Sequence, residues 1–237
     1  MGLWLGAVEL GFLYAFMSMG VFITFRIYSF PDITVDGSFT SGAAAAATLI
    51  VAGFNPLWSL AAALLMGALA GTITAVIHTR FNINGLLSGI LVMTGLYSIN
   101  LHLMGRSNIP LMNQATLFSY FDAVNPGLPT DVWTALLLMV IVTAFWLLMA
   151  VFFKTDLGMA MRAPGDNADM ASANGLNVER LKILGLALAN GLVGLSGGLF
   201  ALYPGFADAC MGVWTTVVGL AIVSIVDFGW GVRTMYG

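Results

Sequence analysis

Of 237 residues, 59% are hydrophobic and only 8% are charged, against roughly a quarter charged in an ordinary soluble domain; a soluble enzyme of this length is excluded. The net charge of −3 comes from so few groups that their placement says more than their sum. The single cysteine, Cys210, rules out an internal disulfide framework, and no basic segment precedes the first apolar run as a cleaved signal peptide requires.

Taken in chain order, the first apolar run is Gly11 to Phe25, with Glu9 near its outer end. "RIYSFPDITVD", Arg26 to Asp36, follows and reads either as a turn or as part of a broken, re-entrant span. Gly37 to Gly53 is Ala-rich and short, Leu57 to Ile77 is long, and Gly85 to Leu101 opens after the polar break at Asn82 and Asn84. Val132 to Phe153, Ile183 to Tyr203 and Met211 to Val226 complete the set. A helix rises 1.5 Å per residue and needs about 20 apolar residues to cross the hydrocarbon core. The runs at 57, 132 and 183 meet that length unaided. Hydrophobicity is continuous rather than alternating, which excludes a transmembrane β-barrel. The expected fold is all-α: one domain, residues 1–237, built as a polytopic transmembrane helical bundle of about seven spans, with one or two broken or re-entrant segments.

Placing the N-terminus outside and alternating the spans puts Arg26, Arg80, Lys154, Arg162, Arg180, Lys182 and Arg233 on one side and Arg106 alone on the other. Positive residues collect on the cytoplasmic side, so the segment 154–182 is expected in the cytoplasm and Met104 to Asp131 outside. Trp4, Trp58, Trp133 and Trp214 fall near span ends, where amphipathic aromatics anchor in the interface.

"MRAPGDNADMASANGLNVERLK", Met161 to Lys182, gathers charge in a chain that has little. Pro164-Gly165 is expected to break the chain, Asp166 to cap a short helix with Asp169 three residues on, and Gly175 to end it in the left-handed conformation. Asn177 is then expected to cap the next helix. Two turns of helix are marginal alone. Their holder is either the protein's own bundle or a partner subunit.

"RAPGDNADMASANGLNVERLKILGLALANGLVGLSGGLFA" resembles the coupling-loop region of permease subunits of bacterial ABC importers, in the branched-chain amino acid and ribose type group. "FPDITVDGSFTSGAAAAA", "INGLLSGILVMTGLYSINLHLMGRSNIPL" and "GFADACMGVWTTVVGLA" are similar to a subgroup of uncharacterised permeases, some linked to aromatic amino acid uptake. The resemblance covers Phe30 to Val226. It implies a multi-pass protein of the bacterial inner membrane, a small polar solute such as an amino acid, an extracytoplasmic solute-binding protein, a second permease copy and an ABC ATPase subunit. In such importers the short cytoplasmic helix sits in a groove of the ATPase. Carried onto this sequence, the coupling residues are Arg162, Asp166, Asn167, Asp169, Met170, Ala171 and Gly175. Neither of the two lysines, Lys154 and Lys182, follows a Gly-x4-Gly phosphate loop, so ATP is expected on a separate chain and no cofactor on this one. Family members usually continue past "VVGLAIVSIVD" with a further membrane helix, so this chain is expected to lack a C-terminal span.

Polar groups within a membrane are costly and often functional. Asp36, Asn84, Asn100 and Asp208 are the candidates for the translocation path, with Asp32, Asn82 and Asn190 beside them; Asp32 and Asp36 also read as caps of the helix opening at Gly37, and Asn100 and Asn190 as interhelical bonds. His78 and His102 stand apart, no metal-ligand cluster or nucleophile–base pair can be assembled, and nucleic acid is not an expected partner. Gly67-x3-Gly71 and Gly194-x3-Gly198 read as close helix packing, within the chain or at a seam between two copies. A stand-alone secondary transporter or channel with broken helices is the alternative function, and a non-transporting membrane scaffold a third.

Overall fold

The computed structural model describes residues 2–112, 114–123, 127 and 129–235. In chain order the elements are α1 (Gly2–Phe22), α2 (Thr34–Val51), α3 (Pro56–Phe81), α4 (Gly85–Met104), β1 (Asn108–Pro110), α5 (Leu117–Ala123) and α6 (Thr130–Phe152). They continue with α7 (Asp156–Asp166), α8 (Ala168–Ala173), α9 (Val178–Leu202), β2 (Phe206–Asp208) and α10 (Thr215–Met235). Each of the seven expected spans is a helix. Five of them, in α1, α3, α4, α6 and α9, are long and apolar enough to cross a membrane, and α10 adds a shorter apolar stretch, Thr215–Val226.

Local chemistry sets the ends. Asn55 accepts a hydrogen bond from the Leu57 amide with Pro56 in the first helical position, and Asn84 accepts from Leu86. These side chains satisfy amides that a helix start leaves orphaned. Asn82 ends α3 in the left-handed conformation, which asparagine tolerates better than most residues. α1 does not stop at Phe22; it runs into a π turn, Ile23–Ile27.

Small residues decide which helix lies at the centre. α9 packs against α1, α2 and α3. A Cβ on Gly42 would collide with the Gly194 backbone, and one on Gly67 or Gly71 would strike the carbonyls of Asn190 or Leu186. Such contacts bring backbones close enough for extensive van der Waals attachment, which is what associates helices in lipid. Both Gly-x3-Gly pairs are therefore spent inside the chain, facing each other across α3 and α9.

The two ends of the bundle differ. At one, the ribbon end, β1 and β2 pair antiparallel, with Asn108 opposite Asp208 and Pro110 opposite Phe206. At the other, the arm end, α7 and α8 project beside the link from α1 to α2, and Phe30 stacks edge-on against His78 of α3.

Two helices begin inside the bundle rather than at an end. Ser38 of α2 bonds Asn190, which lies twelve residues into α9, about 18 Å along its axis. The link 28–33 therefore climbs into the fold before α2 starts. From the other side, residues 209–214 descend from the ribbon in turns, and α10 starts where the Thr216 amide donates to Asp36 at 2.7 Å. The first of these lies in Arg26–Asp36, the segment read from the sequence as a turn or part of a broken span.

Candidate coupling arm and polar path

α7 begins with Thr155, whose hydroxyl accepts from the Gly158 amide at 3.3 Å. The expected break at Pro164-Gly165 does not occur: α7 runs through both to Asp166. Gly165 explains why the helix holds there. Its bare Cα lies against the Ile27 carbonyl, where a Cβ would collide, so α7 is wedged onto the end of the π turn. Asp166 is the last residue of α7 rather than a cap; Asn167 takes that role, its side chain accepting from the Met170 amide at 2.9 Å.

The end of α8 is as the sequence indicated. Gly175 has φ of +83°, its amide donates to Ser172, and the Leu176 amide donates to Ala171 at 3.1 Å. This is the paired closure of a Schellman motif, which needs a residue at ease with positive φ. Asn177 then caps α9 through the Arg180 amide at 3.0 Å.

Six of the seven coupling candidates face outward: Arg162, Asp166, Asn167, Asp169, Met170 and Gly175. Met170 is 65% exposed. Ala171 is turned inward and buried. Arg162 lies over the Phe153 ring, 5.5 Å from its centroid.

Tyr28 ties this arm to the bundle. Its hydroxyl donates to the Leu181 carbonyl at 2.8 Å, and its ring fills the space that a Cβ on Gly185 would occupy. Burial pushes the phenol above the usual tyrosine range, so it stays a donor. A cavity of about 290 Å³ opens beside it, lined in part by Ser29, His78, Asn84, Pro164 and Lys182.

The four path candidates lie in four places. Asp36 receives Thr215 Oγ1, Thr216 Oγ1 and the Thr216 amide on one oxygen, at 2.6–2.8 Å, and so caps α10 from α2. Asn84 caps α4 at the rim of the arm-end cavity. Asp208 accepts from the Cys210 amide at 2.8 Å at the ribbon. Asn100 is fully buried on α4, and neither atom of its amide has a hydrogen-bond partner among the described residues.

The strongest polar cluster is built from residues with a competing structural reading. Asn190 donates to Asp32 Oδ2 at 2.7 Å and accepts from Ser38 at 2.7 Å; Asp32 Oδ1 accepts from the Thr34 amide at 2.9 Å. Thr34 and Thr74 share a hydroxyl bond at 2.7 Å. All five side chains are buried, and together they fix the broken link 28–33 to α3 and α9. At the ribbon end Tyr203 donates to the buried Glu9. No pattern pointed to this pair, since a lone glutamate near a span end reads as interfacial.

Known proteins resemble the chain along most of its length. The Tyrosine transport system permease protein of Clostridioides difficile is 42% identical over 209 residues, which is 88% of this chain and 68% of that protein. Uncharacterized protein RP368 of Rickettsia prowazekii is 33% identical across 95% of this chain and 77% of its own length. The Ribose import permease protein RbsC of Escherichia coli is 28% identical over 70% of this chain and 51% of its own length. No solved structure matches. Residues 4–227 match the family described as branched-chain amino acid transport system / permease component, and the chain, a multi-pass membrane protein, belongs to that permease family.

Proposed function

We propose that the chain is the membrane permease of an ATP-driven importer, powered by a separate ABC ATPase that docks on α8. The observation that carries this is the arm itself. A capped helix presents Asp169 and Met170 outward while Gly165 and Tyr28 fasten its base to the link that leads into α2. A push on α8 reaches α2 through the backbone contact of Gly165 on Ile27 and the packed Tyr28 ring. ATP is bound by the partner, and this chain contributes no catalytic residue.

Seven of the eight basic residues fall at the arm end or the spans leading to it, which favours a cytoplasmic arm and an extracytoplasmic ribbon that receives solute from a binding protein. An amino acid is the favoured solute over a sugar, because the relative named for tyrosine is 42% identical and the one named for ribose 28%. The glycine seams are used within the chain, so a second permease copy would pair through other faces.

Reconstitution with candidate ABC ATPases from the same organism tests the reading. Met170→Glu combined with Asp169→Arg should abolish ATPase capture while the permease still elutes as a folded species. Undiminished capture by this variant, or solute uptake that persists without any ATPase, would overturn it; the second result would favour a secondary transporter.

A further inference from the structure

α2 and α10 both begin inside the bundle, and they begin against one another. Asp36, in the first turn of α2, holds Thr215 Oγ1, Thr216 Oγ1 and the Thr216 amide on Oδ1 alone. One turn along, Thr40 accepts from the Gly212 amide at 3.0 Å, and a Cβ on Gly212 would strike the Asp36 carbonyl. The carboxylate is therefore fixed in place by both segments. It still has acceptor capacity to spare, since an ionised carboxylate offers about four lone-pair positions on two oxygens. Oδ2 takes no hydrogen bond among the described residues and is not sealed from the surface; the side chain is partly exposed.

Ser38, half a turn beyond Asp36, meets α9 about 18 Å along its axis, so Oδ2 opens near the middle of a ~30 Å hydrocarbon core. An ionisable group at that depth faces water or protein rather than lipid, and marks a solute or ion path. Two neighbours agree. On the α4 side, a Cβ on Gly37 would lie 3.2 Å from the Cα of Met93. One turn beyond Met93, Tyr97 is 49% exposed, with Thr94 and Ser98 exposed beside it. Tyr97 stands twelve residues into α4, about 18 Å, whereas a tyrosine turned to lipid belongs at the interface. On the α10 side, Trp214 has φ of +76°, a strained conformation for a bulky residue and one that gathers at ligand clamps.

Asp36 has no ion pair among the described residues. Arg233 stands seventeen residues beyond Thr216 on α10, about 25 Å along the helix. A metal ion would need further ligands, and no group of three His, Cys, Asp or Glu gathers among the described residues. A primary ammonium brings three donors of its own and needs only one well-held carboxylate oxygen. We propose that Asp36 lies on the solute path and that its Oδ2 receives the ammonium of an amino acid, on the face shared by α2, α4 and the start of α10. This rests on the reading of the chain as an amino acid permease, but its test needs no ATPase.

The test uses the full chain in membrane vesicles, with Cys210→Ser removing the native thiol. Asp36→Cys, Tyr97→Cys and, on the exposed face of α6, Leu148→Cys are each labelled with a charged methanethiosulfonate, which attacks the thiolate and so reports water. The first two should react at least about tenfold faster than the third. A millimolar mixture of the common L-amino acids should slow labelling of Tyr97→Cys several-fold. The same mixture N-acetylated, and so without ammonium groups, should not. Asp36→Asn in the Tyr97→Cys chain keeps an acceptor oxygen for Thr215 and Thr216 but loses the charge; it should abolish the protection without altering elution. Labelling at 36 and 97 as slow as at 148 would overturn the proposal, as would no protection, equal protection by the acetylated mixture, or protection that survives Asp36→Asn. Failure of the α8 capture test with this protection intact would reject the ATPase reading and leave the site standing.

Discussion

α9 and α6 are both long apolar helices, yet 72% of the most apolar window of α9 is covered by the rest of the chain and only 17% of that of α6. The difference lies in residue size. α9 carries Gly191, Gly194, Gly197 and Gly198 with Ala189 and Ser196, and its neighbours approach to backbone contact. α6 is built of Leu, Met, Val and Trp, with Trp146, Leu147 and Leu148 more than half exposed. Hydropathy says that a helix crosses the membrane. The distribution of small residues says whether it faces protein or lipid.

The contrast can be broken hardest at its tightest point. Gly42→Leu forces a branched side chain into the Gly194 backbone. A loss of about 3 kcal/mol or more is expected, a fall in melting temperature of roughly 6–12 °C for a chain of this size, read by thermal-shift fluorescence in detergent. A melting point unchanged within 2 °C would mean that the seam has slack.

Asn190→Leu comes next. It leaves Asp32 and Ser38 without their buried partner, a penalty of about 2–3 kcal/mol. Denaturant titration of the variant beside Asn190→Leu/Asp32→Leu should show the double change recovering part of the loss. Strictly additive losses would indicate that the two side chains act independently.

Tyr28→Phe removes one hydrogen bond to Leu181 while keeping the ring that packs on Gly185. The expected cost is about 1 kcal/mol, and protease cutting within 154–182 should accelerate more than overall unfolding does. Smallest of all is Leu148→Ala on α6, expected within about 0.5 kcal/mol because the side chain faces away from the bundle. A large loss there would identify a protein partner covering that face.

Much of the fold was legible because span length and end chemistry are local. Asn177 caps where its position suggested, and Gly175 takes the positive φ that its place after a short helix requires. The boundary at Asp166 was misplaced by one residue because proline normally ends a helix. Here the close seat of Gly165 on Ile27 lets α7 continue. The ribbon was not legible, since two three-residue strands show no alternation, and Pro110 lies in one of them. Nor was the attachment of Asp36: its partners are 179 and 180 residues away, and nothing about an aspartate near a helix start says whose amides it will meet. Asn190 was visible as a polar residue in a glycine-rich helix, but its convergence with Asp32 and Ser38 is a property of packing.

The start of α10 against Asp36 also bears on how the molecule is made. Asp36 emerges early, whereas Thr216 follows 180 residues later, about 9–36 s behind at typical synthesis rates of roughly 5–20 residues per second. Throughout that interval the carboxylate lacks the three donors that make its burial tolerable, and Asp32 likewise waits for Asn190. The contact that joins α2 to α10 can therefore close only after residue 216 has been made, long after the packing partners of α2 in α3 and α4 are available.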